Sequence, residues 1–164
     1  MIVKGFSQKK SVDFEKIFSP MVKMSLIWII HGIAISLNLE IEQLDIKTTF
    51  LHNDLEEIYM EQLEGFKESG KENIVCHLRK SLYGLKQVPR QWYKKFDSFI
   101  MDHEYHRTIS DHCIYVKNFS NGDFIILLLY VDNTLIVGRD VMKIDGLKKE
   151  LSKSFAMKDL GTVR

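Results

Sequence analysis

The stretch that most constrains this chain is Phe124–Val137, which reads FIILLLYVDNTLIV. Two apolar runs, Phe124–Val131 and Thr134–Val137, are broken only by Asp132 and Asn133. Runs this short and this rich in β-branched residues, joined across an Asx pair, predict a tight β-hairpin. Asp and Asn tolerate left-handed backbone, which puts the two-residue turn at Asp132-Asn133. A hairpin so apolar must be covered on both faces or nearly so. Its tip then holds a carboxylate at the edge of a core, which costs free energy unless a cation or donor meets it. An ordinary turn aspartate is the plain alternative, and the hairpin alone does not separate the two.

The remaining pattern supplies partners for that hairpin. Met1–Phe18 reads as the tail of a strand followed by a loop, and Ser19-Pro20 marks a boundary. Val22, Leu26, Ile29, Ile30, Ile33 and Leu37 fall at helical spacing and predict a helix over 22–37 with a broad apolar stripe. Glu40–Ile46 alternates as a strand ending near Asp45. Thr48–Leu55 reads as a short helix or loop, Ile58–Met60 as a short strand, Glu64–Lys71 as loop and Val75–Leu78 as an edge strand. Gly84 breaks the segment 81–87, and Pro89 opens a helix running from Arg90 to about His103, with Trp92, Phe96, Phe99 and Ile100 on one side. Residues 111–117 read as a strand, and Asn121-Gly122 as a hairpin turn into the central run. Ile144, Leu147, Leu151 and Phe155 define a last helix over 142–155. This order of elements predicts an α+β domain with helices on one face of an antiparallel sheet.

At 164 residues the chain makes one domain, or one domain and part of another. An apolar fraction of 45% suits a globular fold. The net charge of +1 gives no global basic signal, so nucleic-acid binding has to come from local patches. Cys76 and Cys113 are far apart without a CxxC partner and read as reduced thiols. The N-terminus lacks the apolar core of a signal peptide, and no apolar run reaches the roughly 18 residues of a membrane helix. The expectation is an intracellular protein, cytoplasmic or nuclear, with no membrane partner.

Asp45 and Asp132 each follow an apolar strand. If antiparallel pairing brings those strand ends together, both carboxylates face one pocket. Mg²⁺ binds through one or two carboxylates plus substrate phosphates, and two such ions clamp the oxygens of an in-line phosphoryl transfer. Spacing alone does not show that they meet.

Three stretches carry a specific likeness: Gln43–Leu51, QLDIKTTFL; Ser81–Tyr93, SLYGLKQVPRQWY; and Leu129–Asn133, LYVDN. With Lys4–Gln8, Phe18–Pro20 and Met157–Gly161 in the same order, the chain resembles the reverse transcriptase of copia-type LTR retrotransposons over nearly its whole length. The resemblance implies a right-hand polymerase palm with partial fingers and no thumb, spanning residues 1–164, and RNA-directed DNA synthesis onto a primer 3′ end. It implies two Mg²⁺ ions as cofactors, and deoxynucleoside triphosphates with an RNA or DNA template–primer as partners.

Residue by residue, Asp45 matches the carboxylate of the first catalytic motif, and Ile46 would lend a backbone carbonyl to the metal. Asp132 matches the first aspartate of the Tyr-x-Asp-Asp tip. Phe50 falls where the family keeps an aromatic ring under the incoming sugar, so that a 2′-hydroxyl collides with it; otherwise it is a core residue. Tyr83, Gly84, Lys86 and Gln87 match the part lying against the nucleotide, and Arg90 a nucleic-acid contact. Lys86 and Arg90 suit phosphates, and equally suit a solvated cationic edge. Tyr83 and Trp92 offer stacking surfaces, although the helical spacing of Trp92 to Phe96 and Phe99 favours the core for it.

Asn133 departs from the pattern: active members carry a second aspartate there, so one of three anionic ligands is lost. Metal-borne charge stabilisation is worth several kcal/mol, which predicts a loss on the order of 100-fold or more in rate. Trp28 stands where the family usually has arginine, and Asn53 where it usually has glycine. The chain is also expected to begin inside the fingers and to stop before the primer grip, thumb and RNase H domain. The alternative function is a non-catalytic nucleic-acid- or protein-binding remnant. Oligomeric state is open. His103, His106, His112 and Cys113 cluster in sequence without the paired spacing of a zinc site, and His31 reads as structural or surface.

Overall fold

The computed structural model describes residues 8, 9, 11, 14, 16–47, 54–62, 65–67, 70, 71, 73–80, 82 and 84–163. In chain order the elements are α1 (Met24–Ser36), β1 (Glu40–Ile46), β2 (Asp54–Glu61), β3 (Val75–Lys80), α2 (Val88–Asp102), β4 (His106–Arg107), β5 (Ile114–Asn118), β6 (Phe124–Tyr130), β7 (Asn133–Gly138), α3 (Val141–Ser154) and β8 (Met157–Thr162). The chain divides into two compact units, one of residues 1–18 and 50–92, the other of residues 19–49 and 93–164. No helix among the described residues is long and apolar enough to cross a membrane.

In the first unit β2 and β3 form a two-stranded antiparallel sheet. Ile58–Met60 and Val75–Leu78, expected as short strands, are parts of these longer ones. Of the stretch 48–55, expected as helix or loop, Asp54 and Leu55 open β2 and the rest lies outside the described residues, as does most of 1–18.

The second unit is built on a six-stranded sheet in the order β4-β5-β6-β7-β1-β8, antiparallel throughout. Strand β6 is buried at Ile125, Leu127, Leu128 and Leu129, so the central hairpin is covered on nearly both faces, as its composition demands. Asn121 and Gly122 form the turn before it, with Gly122 at φ 85°. Strand β5 begins at Ile114 and not at Asp111. The Asp111 carboxylate instead accepts from the backbone N–H of Cys113 at 2.9 Å and of Lys23 at 3.1 Å, which holds the chain in a turn. Two strands escape the sequence pattern. β4 is only two residues long, and β8 is exposed or half-buried throughout, so neither shows alternation.

Residues paired across a ladder share a face. One row is Leu128, Leu135 and Gln43; the next, on the opposite face, is Tyr115, Leu127, Ile136 and Glu42. Helices α2 and α3 cover the second face. Phe96 of α2 meets Tyr115 edge-on at 6.2 Å between centroids, Phe155 touches Phe96 and Phe99, and Lys148 of α3 bonds Glu42 at 3.0 Å. Phe96 and Ile100 are fully buried, each worth about 1.5–3 kcal/mol relative to exposure. Asp140 caps α3, its carboxylate accepting from the N–H of Met142 at 2.9 Å.

Helix α1 borders the first face, so the expectation of helices on one face only does not hold. The predicted apolar stripe of α1 is also corrected. Ile30 and Ala34 are buried, whereas Ile29, Ile33 and Leu37 are exposed, with Trp28 70% and Ile35 80% exposed. The helix is apolar nearly all round, and spacing does not choose which side of such a helix meets the sheet.

Candidate functional site

The end of the sheet where β1, β7 and β8 meet carries four of the residues singled out by sequence. Asp45 stands opposite Asn133 in the β1–β7 ladder and opposite Lys158 in the β1–β8 ladder. The N–H of Ile46 donates to the backbone oxygen of Asp132 at 2.9 Å, and the Ile46 side chain is buried. Asp45, Asp132 and Asn133 are half-buried. Just past the end of β1 the Lys47 N–H bonds Ala156 O at 2.8 Å, in line with the pairing of Ile46 with Met157.

The turn itself lies one residue earlier than expected. Tyr130 pairs with Asn133, so the loop is Val131-Asp132 and Asn133 opens β7. The left-handed residue is Val131, at φ 59°, not an Asx residue. The reason is register. Pairing Leu127 with Ile136 and Leu128 with Leu135 keeps the buried set on matching faces, and a one-residue slip would turn one strand inside out. That constraint outweighs the cost of a β-branched residue at positive φ, about 1–3 kcal/mol.

Asn133 joins the two strands through its side chain. Its Oδ1 accepts from Gln43 Nε2 at 3.0 Å, and its Nδ2 donates to Asp132 Oδ1 at 3.1 Å. Gln43 stands two residues before Asp45 and hence on the same face. That period-2 spacing is the signal that would have pointed to it. Gln43, Tyr130, Asn133 and Leu135 line a cavity of about 330 Å³ with Met24, Ile27 and His31 of α1. His31 points Nδ1 at Ile27 O, 2.9 Å away.

The other candidates lie in the first unit. Gly84 is at φ 101°, a conformation only glycine adopts readily, which explains the break before α2. Lys86 is engaged within its own unit: its backbone N–H donates to Gln8 Oε1 at 2.9 Å, Nζ donates to Gln8 O at 3.1 Å, and Nζ lies 5.2 Å from the Phe14 ring centroid. Gln87 is buried and accepts from Gln8 Nε2 at 3.1 Å. Arg90 donates one N–H to Phe18 O at 3.1 Å. Trp92 is buried. Phe50 and Tyr83 lie outside the described residues.

The cluster near His103 is occupied with structural contacts. His103 Nδ1 lies 2.7 Å from Phe99 O, His106 is in β4, and burial, helped by the Asp111 and Asp97 charges, pushes the Cys113 thiol up to about 12. Among the described residues no three His, Cys, Asp or Glu side chains gather as a metal-binding group. The donors at the Asp45–Asp132 end are hard oxygens, which suit Mg²⁺. They amount to two carboxylates, with an asparagine whose oxygen already accepts from Gln43.

The family profile described as reverse transcriptase (RNA-dependent DNA polymerase) matches residues 1–164. The chain is 64% identical over 162 residues to the retrovirus-related Pol polyprotein from transposon TNT 1-94 of Nicotiana tabacum, covering 98% of the chain and 12% of that protein. It is 36% identical over 160 residues to the Pol polyprotein from transposon RE1 of Arabidopsis thaliana, covering 97% of the chain and 11% of the relative. The chain thus spans about an eighth or less of these relatives' lengths. No solved structure matches it. The whole-length match and the similarity to copia-type Pol polyproteins show that this chain belongs to the reverse transcriptase (RNA-dependent DNA polymerase) family.

Proposed function

We propose that the Asp45–Asp132 end of the six-stranded sheet is the catalytic end of an RNA-directed DNA polymerase palm, and that Asn133 makes this copy defective. The observation that carries the reading is the ladder register, with Asp45 opposite Asn133 and the Ile46 N–H on Asp132 O. Asp45, Asp132 and the Ile46 carbonyl would hold Mg²⁺ ions. Bound there, Mg²⁺ supplies charge stabilisation to the attacking 3′-hydroxyl oxygen and the departing pyrophosphate.

The chain's own residues have narrower tasks. Asp45 and Asp132 fix the position of the negative charge. Phe50 limits the sugar to a deoxyribose. Arg90, with one N–H spent on Phe18 O, keeps further donors for a phosphate of the template–primer or nucleotide. The contacts of Lys86 within its own unit favour a structural role for it over a phosphate contact. The defect follows from charge: an amide at position 133 adds none to the site, and its N–H is spent on Asp132.

The test is Mg²⁺-dependent primer extension on an RNA template, parent beside Asn133→Asp. The variant is expected to extend on the order of 100-fold faster or more than the parent. Equal extension by both removes Asn133 as the defect. Extension by neither removes the polymerase reading for this chain.

A further inference from the structure

Gln43 and Asn133 form a chain of amides ending on Asp132. Gln43 Nε2 donates to Asn133 Oδ1 at 3.0 Å, and Asn133 Nδ2 donates to Asp132 Oδ1 at 3.1 Å. The direction of this chain is set from one end. An ionised carboxylate only accepts, so Asn133 turns its NH₂ to Asp132. Its oxygen then faces Gln43, which must answer with its own NH₂. Turning either amide over alone sets oxygen against oxygen or NH₂ against NH₂, so the two orientations are tied. Both side chains are half-buried and both line the cavity of about 330 Å³ beside α1, which leaves open space next to each.

We propose that Gln43 is a positioning residue whose amide turns over together with that of Asn133 when a hard cation is taken up at Asp45 and Asp132. The inference rests on the reading of that end as a cation site. In the turned state Asn133 presents Oδ1 where a carboxylate is missing, and its Nδ2 donates to Gln43 Oε1. The hydrogen bond between the amides is kept with its direction reversed. The bond to Asp132 is exchanged for a ligand oxygen, and asparagine carbonyls are ordinary ligands of hard cations. An aspartate at 133 has no donor to turn away, so the coupling to Gln43 belongs to asparagine.

The experiment follows side-chain and backbone ¹⁵N–H resonances of the full chain through a Mg²⁺ titration, with Asn133→Asp titrated in parallel. The side-chain NH₂ signals are assigned by through-bond correlation to their own backbones. The expected result is that the NH₂ signals of Gln43 and Asn133 move together, with one midpoint, which the backbone N–H of Ile46 shares. Movement of Asn133 without Gln43 overturns the proposal, because Asn133 then acts alone. So does movement of Ile46 without either amide, since the carboxylates then suffice. If the parent is silent while Ile46 moves in Asn133→Asp, the amides lock Asp132 instead of turning, and the proposal fails while the cation site stands. Silence in both chains removes the cation site and the proposal together.

Discussion

Asp45 and Asn133 stand directly opposite each other across the β1–β7 ladder, on the sheet face that α1 borders. The pairing joins two strand ends separated by most of the chain, with Asp132 held beside them by the Ile46 N–H. Replacing Asn133 by Asp removes the donor that meets Asp132 and adds a second carboxylate next to it. A hydrogen bond to a charged group is worth about 1.5–3 kcal/mol, so Asn133→Asp should destabilise the fold by about 1–3 kcal/mol in chelator. Saturating Mg²⁺ at about 100 times its Kd restores about 2.7 kcal/mol. Thermal unfolding with and without Mg²⁺ checks this; a variant as stable as the parent in chelator would contradict it.

Val131 is a β-branched residue at φ 59° in the first position of a two-residue loop, where glycine is preferred. Val131→Gly should relieve about 1–3 kcal/mol of strain and lose about 0.5–1 kcal/mol to chain entropy. A net gain of about 1 kcal/mol in urea unfolding is the expected outcome. A loss of stability would mean that the valine side chain matters more than its backbone.

Thr134 is fully buried, and its hydroxyl has no hydrogen-bond partner among the described residues. Thr134→Val keeps the shape and removes the stranded polar group, which should stabilise by about 1 kcal/mol. Equilibrium unfolding reads the sign directly, and destabilisation would show that the hydroxyl is satisfied in solution.

Lys148 of α3 sits between Glu42 of β1 and Asp159 of β8. Burial works to lower its pKa, but its hydrogen bonds to Asp159 and Glu42 win and hold it above the ordinary lysine value. The Lys148 hydrogen bond, against some burial, holds the Asp159 carboxyl below the ordinary aspartate value. Stability from Asp159 is therefore complete above the ordinary aspartate range and is lost as pH falls through its lowered value. Stability from Lys148 is complete below the ordinary lysine range and is lost only as pH rises through its raised value. Lys148→Met should cost about 1–2 kcal/mol at neutral pH, the exposure of Asp159 keeping it small. The gap between variant and parent should close as pH falls below about 4. A gap that persists in acid would assign the loss to packing.

Much of the fold is legible because its signals are local. Strand β1 runs over the predicted Glu40–Ile46, and α3 starts and stops within one residue of 142–155. The apolar faces of α2 and α3 are buried as their spacing predicts, since a helix with one apolar side has one way to bury it. Helix α1 offers no such choice: MSLIWIIHGIAIS holds no charged residue, and the tertiary fold buries Ile30 and Ala34. Strand β8 is invisible for the opposite reason, being an exposed edge strand held by its ladder to β1.

The sequence by itself determined that an apolar hairpin with Asp132 at its tip exists, that Asp45 ends a strand, and which family the motifs belong to. These depend on residues near each other in the chain or on their order along it. Tertiary structure alone decided that Asp45 faces Asn133, that Val131 takes the left-handed position, and that Gln43 reaches Asn133. The first and the last depend on the register between strands about 90 residues apart and the Val131 turn on that of the β6–β7 hairpin, and both registers are set by matching buried faces across the sheet. A shift of one residue would leave every local signal intact and separate all three.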